Sequence, residues 1–95
     1  MKLRYQRRAL RQIDKALAYI AARSPDGAAK VEARLTAIAA LIQEQSLVGR
    51  KTSVPGVRRI VLTPYPYLID YYVGDDEIVI QRFRHTARKP TPDNH

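Results

Sequence analysis

The 95-residue chain contains no cysteine, so neither a disulfide staple nor a thiolate metal site is available to it. Histidine occurs only as His85 and His95, and no Gly-rich phosphate loop is present. No apolar run approaches the roughly 18 residues that a membrane span needs. The opening MKLRYQRRAL is positively charged but has no long apolar stretch behind it, unlike a secretory signal. The expectation is a cytoplasmic protein with no metal, no cofactor and no membrane partner. There are no internal repeats. The length suits one domain with one modest core, expected over residues 1–90, with 91–95 as a frayed tail. An apolar content of 45% fits a globular chain and argues against disorder.

Acids are also scarce: nine Asp and Glu stand against 17 Lys and Arg, a net charge of +8. The cations cluster. Lys2, Arg4, Arg7, Arg8 and Arg11 precede the first acid, Asp14; Arg50, Lys51, Arg58 and Arg59 lie in an acid-free stretch from Gln45 to Ile69; Arg82, Arg84, Arg88 and Lys89 crowd RFRHTARKP. Arginine outnumbers lysine 12 to 5, and its planar fork of donors suits phosphate and carboxylate alike. Such a surface attracts nucleic acid or an acidic protein, and charge alone does not choose between them. The plain alternative is a solvated basic surface.

MKLRYQ alternates apolar and polar residues and predicts a short first strand. Leu10, Ile13, Leu17 and Ile20 then make one helical stripe. Ser24-Pro25-Asp26 ends that helix and opens a second: Ser24 as cap, Pro25 in the first turn, Asp26 against the positive helix end. In the second helix Ala28, Val31, Leu35, Ile38 and Ile42 repeat at helical spacing among alanines, which let two helices approach as an antiparallel hairpin. SLVGRKTSVPG has no periodicity and reads as a loop. VRRIVLT, YLIDYYV and EIVIQRF follow, joined by the PYP and GDDE turns, and predict an antiparallel three-stranded meander. Ile78 and Ile80 are two apart but Phe83 comes three later, so a bulge near Gln81 or Arg82 is needed for all three to reach the core. The fold class is α+β, with the helices on one face of a small sheet and the other face or its rim left for Arg58, Arg59, Arg82 or Arg84.

Two groups of residues could carry chemistry. Arg59, Arg82, Arg84 and Arg88 around His85 could hold a phosphate while His85 moves a proton in RNA cleavage. The bland reading makes His85 a structural pin, its ring bonded to backbone at a strand end. Tyr65, Tyr67, Tyr71 and Tyr72 could stack bases, but strand packing accounts for most of them. Asp70, flanked by apolar residues, is expected to pair with an arginine on an adjacent strand.

The segment VPGVRRIVLTPYPYLIDYYVGDDEIVIQRFRHTARKP resembles the C-terminal half of RelE/ParE-superfamily toxins. The resemblance rests on Pro55, Gly56 and Arg58, the Tyr65-Pro66-Tyr67 turn, Tyr71, and Arg82, His85 and Arg88; with the two helices it covers nearly the whole chain. It implies the toxin half of a type II toxin–antitoxin module, neutralised by a cognate antitoxin whose acidic amphipathic segment is held by Arg58, Arg59, Arg82 and Arg84. Operator DNA is then met only through the toxin–antitoxin complex. RelE-like members cut mRNA on the ribosome, which would make His85, Arg82 and Arg88 catalytic. ParE-like members poison DNA gyrase and need no proton-transfer group. No tyrosine follows His85 and Lys51 lies outside the strands, so the resemblance leans towards ParE, with the ribosome-dependent nuclease as the alternative. A module that has lost toxicity but still binds is a third possibility.

Overall fold

Ser24 sets the architecture. Its hydroxyl accepts the Gly27 N–H at 2.9 Å, and Pro25 follows in the first helical turn. The chain therefore reverses between α1 (Arg7–Ala21) and α2 (Pro25–Glu44) into the expected hairpin. Ser24→Ala is expected to cost about 1 kcal/mol, the usual worth of a cap, measured by thermal unfolding. In this computed structural model, which describes residues 1–87, the strands are β1 (Lys2–Tyr5), β2 (Arg50–Lys51), β3 (Val57–Val61), β4 (Tyr67–Val73) and β5 (Glu77–His85). They form one sheet in the order β1-β5-β4-β3-β2. The expected tail, 91–95, lies outside the described residues, as does Arg88.

The meander β3-β4-β5 is antiparallel as expected, and β1 pairs in parallel with β5, Leu3 beside Ile78 and Tyr5 beside Ile80. One correction concerns SLVGRKTSVPG. It is not all loop: Arg50 and Lys51 pair antiparallel with Arg59 and Arg58 and add a fifth, edge strand. A second concerns α1. Leu10 is 46% exposed, and the buried stripe runs instead through Ala9 and Ile13, with Ala16, Leu17 and Ile20 packed beside them. The small Ala9 side chain lets α1 lie close to β5, which turns Leu10 out to solvent.

The core lies between the hairpin and one sheet face. Val31, Leu35, Ile38 and Ile42 of α2 meet Ile69, Tyr71, Ile78, Ile80 and Phe83. Phe83 reaches this layer because Asp70 pairs with Arg82 while Tyr71 pairs with Ile80, leaving Gln81 as the extra, bulged residue. Side chains of α1 satisfy backbone groups at the bulge: Gln12 Oε1 accepts the Phe83 N–H at 2.9 Å, and Arg8 Nε donates to the Gln81 carbonyl at 3.4 Å.

Candidate functional site

The bulge also decides where the arginines go. Pairing places Arg50 beside Arg59, Arg59 beside Asp70, and Asp70 beside Arg82, one cross-strand row on the face away from the helices. Asp70 is 6% exposed. Its two oxygens accept from Arg59 Nε at 2.7 Å and Nη2 at 3.2 Å, a bidentate ion pair. The hydrogen bond to Asp70 holds the Arg59 pKa above its ordinary value. This is the pairing expected for Asp70. The next row carries Val61, Leu68 and Arg84. Arg50, Lys51, Arg59, Arg82 and Arg84 line a groove of about 520 Å³, with Thr52, Ser53 and Thr86 adding hydroxyls.

Arg58 does not join this set. It pairs with Tyr71 on the helix side, and its Nη1 donates to the carbonyls of Leu47 at 3.2 Å and Gly49 at 2.8 Å. It fastens the segment between α2 and β2.

A second groove, of about 400 Å³, runs between α1 and the end of β5. Tyr19, Tyr67, Phe83 and His85 give it an aromatic lining; Arg8, Lys15, Arg82 and Arg84 make it basic. The Tyr67 and Phe83 rings stack with centroids 5.1 Å apart, and His85 meets Tyr67 edge-on at 5.3 Å. His85 Nδ1 accepts the Ala87 N–H at 3.0 Å. The lone pair of that nitrogen is therefore engaged by the backbone at the end of β5. Of the residues that the sequence singled out, Arg59, Arg82 and Arg84 line the arginine groove and His85 the aromatic one. The sequence did not single out Gln12, or Arg50 as part of the arginine row; a two-residue strand leaves no periodic signal.

Among the described residues no three His, Asp or Glu side chains group as a metal site would require, and no helix is long and apolar enough to cross a membrane.

A helical hairpin packed on a small sheet with basic grooves is the arrangement that the resemblance to RelE/ParE-superfamily toxins implies. Residues 3–90 match the family model described as the ParE toxin of the type II toxin-antitoxin system, parDE. The chain belongs to that family and is the toxin component of such a system. It is 36% identical over 75 residues to the Y4kP protein of Sinorhizobium fredii, covering 79% of this chain and 78% of that one. To Toxin RelE2 of Caulobacter vibrioides it is 37% identical over 81 residues, covering 85% and 90%. Its fold is similar to a chain of the chromosomal ParDE system from P. aeruginosa, with a TM-score of 0.77 and 26% identity over 90% of this chain and 95% of that chain. Membership implies a cognate antitoxin.

Proposed function

We propose that this toxin acts in the cytoplasm by inhibiting DNA gyrase, and that its antitoxin silences it by laying an acidic amphipathic segment along the groove between α1 and β5. The observation that favours gyrase over RNA cleavage is the His85 ring. Its Nδ1 is committed to the Ala87 N–H, and Asp70, the buried acid, is committed to Arg59. A nuclease needs a group positioned to take a proton; a gyrase inhibitor needs a binding surface. The aromatic lining of the α1–β5 groove suits the apolar side of a peptide, and Arg8, Lys15, Arg82 and Arg84 suit its carboxylates. The ribosome-dependent nuclease remains the second reading because the Caulobacter relative carries the name RelE2.

Purified toxin is tested in parallel for gyrase supercoiling and for mRNA cleavage on programmed ribosomes, with His85→Ala beside the wild type. The expected result is lost supercoiling, intact mRNA, and a His85→Ala protein that inhibits gyrase within about threefold of wild type, since a weak edge contact and one hydrogen bond carry little of the fold. Site-specific mRNA cuts that vanish in His85→Ala would instead establish the nuclease. Folded wild-type protein that leaves growth unaffected without antitoxin would mark a module that has lost toxicity.

A further inference from the structure

The two helices treat charge in opposite ways. In α2 the Ser24 hydroxyl caps the Gly27 N–H, Asp26 stands in the first turn, and Lys30 pairs with Asp26 one turn on at 3.1 Å. In α1 the N-cap residue, Gln6, makes no side-chain bond, and no acid stands in the first turn. Arg7, Arg11 and Lys15 follow one another at four-residue steps, the spacing at which like charges repel along a helix. We propose that this row binds the phosphodiester backbone of duplex DNA directly. The proposal goes beyond the gyrase reading and stands or falls separately from it.

All three residues are exposed, and among the described residues none of their side chains has a hydrogen bond or an ion pair. Asp14, the one acid of α1, is paired with none of them. The face of α1 that packs on the core is built from Ala9 and Ile13, and Arg8, unlike Arg7, is used at the bulge. The row therefore gives the fold nothing in return for its repulsion. Local rules broken without a compensating contact are expected at functional sites.

The shape of the row points to the ligand. Each four-residue step rises about 6 Å, so the three cations span about 12 Å along a convex helix crest. Duplex DNA presents one charge per about 1.7 Å of axis, so several phosphates face a line of that length. Ala18 continues the crest, and a single strand would find no platform there for stacking its bases. Tyr19 stands on the flank towards the α1–β5 groove and already has the Arg23 guanidinium over its ring at 4.0 Å. A peptide's apolar side would find only Leu10 beside the row, against the aromatic lining of the α1–β5 groove. Arginine and lysine side chains are donors that grip phosphate oxygens without reading bases. Binding is therefore independent of sequence and steeply dependent on salt.

The test is fluorescence anisotropy of a short labelled duplex of mixed sequence, titrated with the full chain across a salt series, with no gyrase and no antitoxin present. The expected slope of log affinity against log salt is about −3, the value for three backbone contacts. Arg7→Gln with Arg11→Gln should weaken binding by about tenfold or more at low salt and flatten the slope by about two. Glutamine forms helix about as well as arginine, so this variant should melt no lower than the wild type. Lys15 borders the α1–β5 groove and is left unchanged. Arg50→Gln with Lys51→Gln removes the same charge from the edge strand β2, remote from α1 on β5, and should retain most of the binding. Equal losses in the two double variants would overturn the proposal, because diffuse charge would then suffice. So would no binding at low salt, or tighter binding of a labelled single strand of the same length or of polyglutamate than of the duplex. Because gyrase is absent, none of these failures bears on the supercoiling assay.

Discussion

Asp70→Ala is expected to lower the midpoint of thermal unfolding by about 10 °C or more, corresponding to roughly 2–3 kcal/mol in a domain of this size. The argument starts from the row Arg50–Arg59–Asp70–Arg82, in which Asp70 is the acid between cations. Removing one partner of a buried ion pair costs about 3–5 kcal/mol, because the other charge is left without compensation. The Arg59 side chain is 40% exposed and can rehydrate in part, which moves the estimate to the lower end of that range or below it. Asp70→Asn keeps the shape and one acceptor and should cost about half as much. Added salt should restore more stability to Asp70→Ala than to the wild type, since it screens the arginines left facing one another. Replacing Arg59 and Asp70 together by apolar residues of similar size should recover part of the loss, as matched apolar pairs often replace buried ion pairs at no cost. Circular dichroism melts of the variants check each step, and an Asp70→Ala midpoint indistinguishable from wild type would refute the account of the row.

Much of this site was legible in the sequence because it is written in spacing. Ile78, Ile80 and Phe83 cannot share a face without an extra residue, and that residue is Gln81. Asp70 among apolar neighbours needed a cation, and Arg59 lay on an adjacent strand. Ser24-Pro25 carried a helix boundary in its own chemistry. What was not legible depends on contacts distant in the chain. Strand β2 is two residues long, too short for alternation, and exists because β3 offers it an edge. Leu10 fits a helical stripe by count, but the approach of α1 to β5 selects Ala9. Arg58 and Arg59 are neighbours in sequence and look equivalent. Alternation sends Arg58 to the helix side and Arg59 to the open groove, so only one of the two joins the arginine row. The α1–β5 groove requires α1 against β5, a pairing no local pattern announces. Arg7 and Arg8 occupy the first turn of α1, where cations oppose the helix dipole and no acid offsets them. Arg8 is explained by its bond to the Gln81 carbonyl at the bulge.

Tyr71→Phe should cost about 2–3 kcal/mol at neutral pH and leave a diagnostic trace in alkali. The Tyr71 hydroxyl donates to the Ser46 carbonyl at 2.9 Å and accepts the Gly49 N–H at 2.8 Å. It thereby ties the turn after α2, and through it Arg50 and Lys51, to the middle of the sheet. Phenylalanine leaves both backbone groups without their partner, each at a cost of about 1–3 kcal/mol when buried. Burial raises the Tyr71 pKa above its ordinary 10.0, against a smaller lowering by the Gly49 N–H. A raised folded-state pKa means that the folded protein holds this proton more tightly than the unfolded chain. The stability tied to it is therefore complete below about pH 10 and is lost as pH rises through the folded value. Tyr5, also raised by burial, titrates in both proteins and cancels in the comparison. Denaturant midpoints of wild type and Tyr71→Phe should thus be far apart at neutral pH and converge above about pH 10. Gly49→Ala probes the same contact from the other side. A methyl there would lie 2.6 Å from the Tyr71 hydroxyl, 2.8 Å from Cε1 of the same ring, which phenylalanine keeps, and 3.0 Å from the Arg59 carbonyl oxygen. Its cost should be smaller in the Tyr71→Phe background, where the hydroxyl is gone, than in the wild type. Parallel pH curves together with additive Gly49 and Tyr71 effects would mean that the hydroxyl does not hold this turn.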